Sequence, residues 1–217
     1  MENNSHDAGD LLYHIKRTII EYAKDPSGST RITDILSTYT NLKAAKAAAR
    51  LALLHEGYIK DDFEVYEEKH DVGSWEHGDG VLVFAKAPAG QHFEISIDTK
   101  PNTNKFESDS SGIVTAHLQY VLQTTIFYNK DRTGSAQITE VEGTFSTRKA
   151  AIEAAKVALL DEDVTKEDFA EYDEKDEDIA AIEWPYGEDV FVHAVLSTGE
   201  NFLVAVKSQP GQSSSSP

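Results

Sequence analysis

Apolar and polar positions along this chain switch between two periods, and they do so twice in the same order. Residues Tyr13 to Tyr22 and Thr30 to Tyr39 are rich in β-branched and aromatic side chains, as strands are. Between them, Asp25-Pro26-Ser27-Gly28 places Asp first, Pro second and Gly fourth. Those are type I turn preferences, so the pair predicts a hairpin. The period then changes. Ala45, Ala48, Ala49, Ala52 and Leu53 stand at i, i+3, i+4, i+7 and i+8, the stripe of an amphipathic helix. Asn41 or Thr40 can cap its start and Gly57 can stop it. Its alanines let it lie close on a sheet. Phe63 and Tyr66, three apart in an acidic stretch, predict one more helical turn with both rings inward. Val81 to Lys86 and Phe93 to Asp98 flank Pro88-Ala89-Gly90 and predict a closing hairpin.

The same run returns after 106 residues. Tyr22, Lys24 and Asp25 meet Tyr128, Lys130 and Asp131. Lys43-Ala44-Ala45 meets Lys149-Ala150-Ala151, and Asp62-Phe63 meets Asp168-Phe169. From 13 to 71 there are 25 identities in 59 positions, far beyond chance, so the chain holds a duplicated domain. The shift then grows to 109, with Val81, Val83 and Ala85 meeting Val190, Val192 and Ala194. Three extra residues therefore precede the last hairpin of the second copy. The predicted fold class is α+β: two tandem homologous modules, each ββα(α)ββ, an antiparallel four-stranded sheet with an Ala-rich helix on one face. The expected limits are a disordered tail over 1–10, a module over 11–100 and a linker over 101–117. A second module over 118–207 and a disordered Ser/Gln/Pro/Gly tail over 208–217 complete the chain.

Charge changes this picture in one place. Twenty Lys and Arg against 38 Asp and Glu give −18, and Asp161 to Asp178 alone holds 11 acids and two lysines, or −9. The helices run the other way: Lys43, Lys46 and Arg50 share the face away from the alanines, with Lys149 and Lys156 in the second copy. Such faces are either plain solvated surface or a docking surface. On the second reading the acidic segment, including Asp176, Glu177 and Asp178, meets a basic protein partner or the other module's helix. So acidic a chain is a poor match for nucleic acid, whose phosphates it repels. No apolar run of about 18 residues is present to span a membrane. An acidic start without an apolar core, and no cysteine, lead to an expected cytoplasmic location.

Candidate chemistry is sparse. The sequence has no phosphate-binding glycine loop, dinucleotide fingerprint, nucleophile elbow or zinc-protease helix, so no catalytic residue and no cofactor is assigned. His70 and His77 flank Asp71, Trp75 and Glu76, but their spacing follows no metal template, and copy two shows no evident match for His77. They read as surface-loop histidines. His193 aligns with Phe84 and reads as a strand residue with a satisfied ring. The acidic run Asp173 to Asp178 lacks the glycine of a calcium loop, so no metal site is assigned. Trp75, Trp184 and Tyr186 sit in the loop before each last hairpin. They read as core-edge packing, or as loop-borne binding residues on a shared scaffold.

The run Lys-Ala-Ala-x-x-Ala-Ala after Thr38-Tyr39 and Thr144-Phe145, with Asp-Phe and Tyr downstream, resembles proteins of filamentous ascomycete fungi that carry one or two such modules. The resemblance spans about 12–100 and 118–207. It rests on structural motifs and implies a fungal source, with an accessory role beside secondary metabolism left open. The leading functional expectation is a non-enzymatic acidic interaction protein. The alternative is an accessory or enzymatic protein acting on a small molecule at a cleft between the modules.

Overall fold

The computed structural model describes residues 9–70, 73–175 and 184–210. The described residues divide into two compact units, the first mainly over 9–116 and the second mainly over 117–208. The first unit runs β1 (Leu11–Glu21), β2 (Arg31–Tyr39), α1 (Leu42–His55), β3 (Val65–Glu68), β4 (Val81–Lys86) and β5 (Gln91–Pro101). The second repeats that order with β6 (Gln119–Phe127), β7 (Gln137–Phe145), α2 (Arg148–Ala155), β8 (Glu171–Glu174), β9 (Val190–Val195) and β10 (Glu200–Ser208). The architecture is α+β.

Each sheet has five strands, not the expected four, in the order β2-β1-β5-β4-β3 and β7-β6-β10-β9-β8, all antiparallel. The extra member is β3 or β8, at the place where a second helical turn was expected. A 3-10 turn does form there, over Lys60–Asp62 and Lys166–Asp168, but the chain then extends and pairs with β4 or β9. Val65 and Tyr66 favour strand, and pairing supplies backbone partners that one isolated helical turn would lack. Phe63 and Tyr66 still reach the core, with ring centroids 5.7 Å apart.

Local chemistry repeats between the units. Asn41 Oδ1 accepts from the Ala44 amide at 3.0 Å, and Thr147 Oγ1 accepts from the Ala150 amide at 3.2 Å, so each helix starts at an Asx or Thr cap. The first hairpin of each unit carries a register shift at a matching place, Ile15/Lys16 and Val121/Leu122. Lys60 pairs with Glu68 and lies over the Tyr66 ring, as Lys166 pairs with Glu174 and lies over Tyr172.

Both helices pack small residues on the sheet. Ala45, Ala49, Ala52 and Leu53 are buried in α1, and Ala49, Ala52 and Leu53 join Ile15, Val83, Ala85, Phe93 and Ile95 in one core. In the second unit Ala151 and Ala155 meet Val121, Val192, Val204 and Val206. The helices differ in length. Gly57, at φ 93°, ends α1 after 14 residues. After eight residues α2 tightens into i→i+3 turns at Val157 and Ala158. Tyr172 then donates its hydroxyl proton to the Lys156 carbonyl at 3.2 Å, whereas the equivalent Tyr66 hydroxyl is buried with no hydrogen-bond partner among the described residues.

The segment expected as a linker is built into the first unit. Asn102, only 3% exposed, donates to the carbonyls of Gly9 and Phe106 and accepts from the Phe106 amide. Ile113 bridges to Tyr39, and Asp109 receives Ser111 and Ile113, which holds its carboxyl below the usual range, chiefly through the Ser111 hydroxyl. Of the two expected tails, 1–8 and 211–217 lie outside the described residues, while Ser208 belongs to β10. Among the described residues no helix is long and apolar enough to cross a membrane.

Candidate functional site

In the first unit, four of the sequence-selected residues come together. Lys43, Lys46 and Arg50 project from α1 toward the loop that leads into β4, and with Trp75 they line an open cleft of about 1110 Å³. Leu82 and Ile97 give it an apolar floor, with Leu42 at its rim. The loop wall is pinned by backbone-directed bonds. Arg50 donates to the Lys69 carbonyl at 3.3 Å, Lys69 Nζ to the Asp79 carbonyl at 2.7 Å, and Trp75 Nε1 to the Gly78 carbonyl at 2.9 Å. Gly78 adopts φ 92°, a left-handed turn open to glycine.

The cleft is basic inside a protein of charge −18. Its described lining holds Lys43, Lys46, Arg50 and Lys69 with His70, against one carboxylate, Asp79, which lies 3.6 Å from Lys69. Among the described residues, Lys43 and Lys46 make no ion pair. Cations focused in a concave, partly apolar wall attract anions even where the net charge repels them. Trp75 is half-buried and adds an aromatic surface.

The second unit fills the same place differently. Arg148, which corresponds to Leu42, reaches from the start of α2 to the Val206 carbonyl at 3.4 Å and to Asp189 at 3.5 Å. Its guanidinium lies 5.7 Å from the Phe191 ring, and Lys175 lies over the same ring. Trp184, the counterpart of Trp75, is 7% exposed and donates to the Val190 carbonyl. Lys46 and Arg50 correspond to Ile152 and Lys156. Arg148 is therefore tied to β10 and Trp184 is buried where the first unit has Leu42 and a half-buried Trp75 at the cleft.

Trp184 and Tyr186 belong to a second constellation. Tyr186 stacks on His193, with centroids 4.0 Å apart and planes at 13°, and Trp184 meets Tyr186 edge-on. The Tyr186 hydroxyl donates to Asp173 at 2.8 Å, which raises its pKa, and His193 Nδ1 stands 3.4 Å from the same carboxylate. The first unit builds the same motif with the ring types exchanged. His77 stacks on Phe84 at 3.9 Å and bonds to Glu67, with Trp75 edge-on to it. His77 thus has a structural counterpart, Tyr186, which the sequence reading did not match. The equal spacing, 109 residues for both Trp75/Trp184 and His77/Tyr186, was the available signal. His70 lines the basic cleft. Asp71, Asp176, Glu177 and Asp178 lie outside the described residues.

No protein-family model, no curated protein and no solved structure matches this chain.

Proposed function

We propose that the chain is a non-enzymatic binding protein and that the basic cleft of its first unit receives an acidic peptide segment of a protein partner. The observation that carries this reading is the cleft itself. Two lysines without ion pairs among the described residues, a guanidinium and a half-buried indole surround an apolar floor. Cations fix carboxylates, and the indole and the aliphatic floor take apolar side chains between them. At about 1110 Å³ the cleft exceeds the range of roughly 300–1,000 Å³ common for small-molecule sites, which favours an extended ligand. The charge of Asp161 to Asp178 points to a basic partner; the geometry of the described residues favours the opposite sign. The repeat and the shared topology support a duplication in which one copy presents an open face.

The test is chemical-shift mapping with a decapeptide of alternating Asp/Glu and Leu/Trp. Expected shifts cluster on α1 and on residues 73–82. Lys43→Glu with Lys46→Glu weakens binding by about tenfold or more, and added salt weakens it too. Shifts scattered over both units, or affinity unchanged by the double reversal, overturn the reading.

A further inference from the structure

We propose that Glu171, Asp173 and His193 form a binding site for one divalent transition-metal ion in the second unit. Glu171 and Asp173 are two apart on β8, so their side chains share a face, and Asp173 is the direct cross-strand partner of His193 on β9. One ligand atom from each lies within 4.8 Å of the other two. A metal bound at about 2.1 Å from each needs adjacent ligand atoms about 3 Å apart. His193 Nδ1 and Asp173 Oδ2 already stand at 3.4 Å, and Glu171 is exposed and free to adjust.

Three further features favour a cation. The His193 ring is 7% exposed and held flat by the Tyr186 ring, so its nitrogen is presented without rotamer cost. The Tyr186 hydroxyl donates to Asp173 Oδ2, the oxygen beside His193, and so fixes the orientation of that carboxylate. The third is the comparison within the chain. The first unit keeps the stacked pair and one carboxylate, Glu67, but has Val65 and Phe84 where the second has Glu171 and His193. At two equivalent positions of one scaffold the second unit thus carries ligand-type side chains where the first carries none. One imidazole and two carboxylates suit zinc, manganese, iron, cobalt or nickel better than calcium, which prefers oxygen alone.

The experiment uses the full chain stripped with a chelator. Zn²⁺ is titrated by calorimetry while the ring resonances of each histidine are followed by ¹H–¹⁵N NMR. The expected result is a saturable event that moves the His193 resonances in step with the heat. His193→Phe and Glu171→Val install the first unit's own residues, and each weakens this event by about tenfold or more. Glu171 is exposed, so its variant keeps the test intact if His193→Phe does not fold. His77→Tyr, the reciprocal exchange in the first unit, leaves the event unchanged. The proposal is overturned if the His193 resonances stay fixed up to millimolar Zn²⁺, or if Glu171→Val binds Zn²⁺ within about twofold of the parent.

Discussion

Position 42 opens the helix of the first unit and position 148 opens that of the second; one is leucine and the other arginine. That difference acts together with a second exchange, since Asp189, which Arg148 pairs with, stands where the first unit has Gly80. Leu42 is 40% exposed at the rim of a basic cleft, and the lysines behind it have no arginine across their front. Arg148 spans the matching place from α2 to β10 and pairs with Asp189. A duplicated scaffold can therefore hold the same strands, caps and helix while one copy leaves Leu42 at an open face and the other ties Arg148 across it. The stacked pair before each last hairpin shows the same freedom. His over Phe in one unit and Tyr over His in the other keep one shape with different donors.

The comparison can be broken at several points. The largest expected effect is in the cores. Ile95 and Val204 are equivalent and fully buried. Ile95→Ala should cost about 2–5 kcal/mol and Val204→Ala about 2 kcal/mol in urea unfolding, since the latter removes fewer carbons. Equal losses would show that the first core collapses around the gap.

Acid should act through His14, for which the second unit has the equally buried Tyr120. Burial is the main reason its pKa falls from 6.5 to about 4; Asp98 opposes the shift and Lys100 adds to it. Between pH 6.5 and about 4 the unfolded chain takes up a proton that the folded chain refuses. Stability from this group therefore falls as pH drops through that window, by up to about 3 kcal/mol, and is level below it. His14→Gln keeps a partner for Thr38 and should flatten that slope in unfolding curves taken across the window.

A paired exchange should then close the cleft. Leu42→Arg with Gly80→Asp gives the first unit both members of the second unit's Arg148–Asp189 pair and is expected to weaken the acidic peptide by about tenfold, roughly 1.4 kcal/mol, with no loss in melting temperature. Tighter binding would mean that the new cation joins the site instead of bridging it. The smallest effect belongs to the paired surface lysines. Lys60→Met and Lys166→Met should each cost under about 1 kcal/mol, because both ion pairs are solvent-screened.

Much of this architecture was legible from residue pattern. Hairpin turns, Asn41 and Thr147 as caps, and the alanines facing the sheet all follow from local rules with local causes. The fifth strand was not legible. Val65-Tyr66-Glu67-Glu68 is four residues long and half acidic, and the three-residue spacing of Phe63 and Tyr66 fits a helical turn as well as a strand. Pairing with β4 decided it, and that partner is distant in sequence. For the candidate site, the helix cations and Trp75 were selected separately, one group by helical spacing and the other by loop position. That they share a cleft depends on the path of the loop. Glu171 and His193 escaped for another reason. Each looks ordinary alone, and only strand register sets them beside Asp173.

The strand order has a consequence for how the chain comes into being. In the first unit β1 occupies an inner position and pairs along its whole length with β5, from Leu11 against Pro101 to Glu21 against Gln91. On a ribosome, β1 must wait with one flank unsatisfied until nearly the entire unit has emerged, and the second unit repeats the delay with β6 and β10. Such non-local closure slows folding and leaves an open strand edge during synthesis. Nascent chains halted before Gln91 should therefore remain protease-sensitive, and those halted well after Pro101 should not.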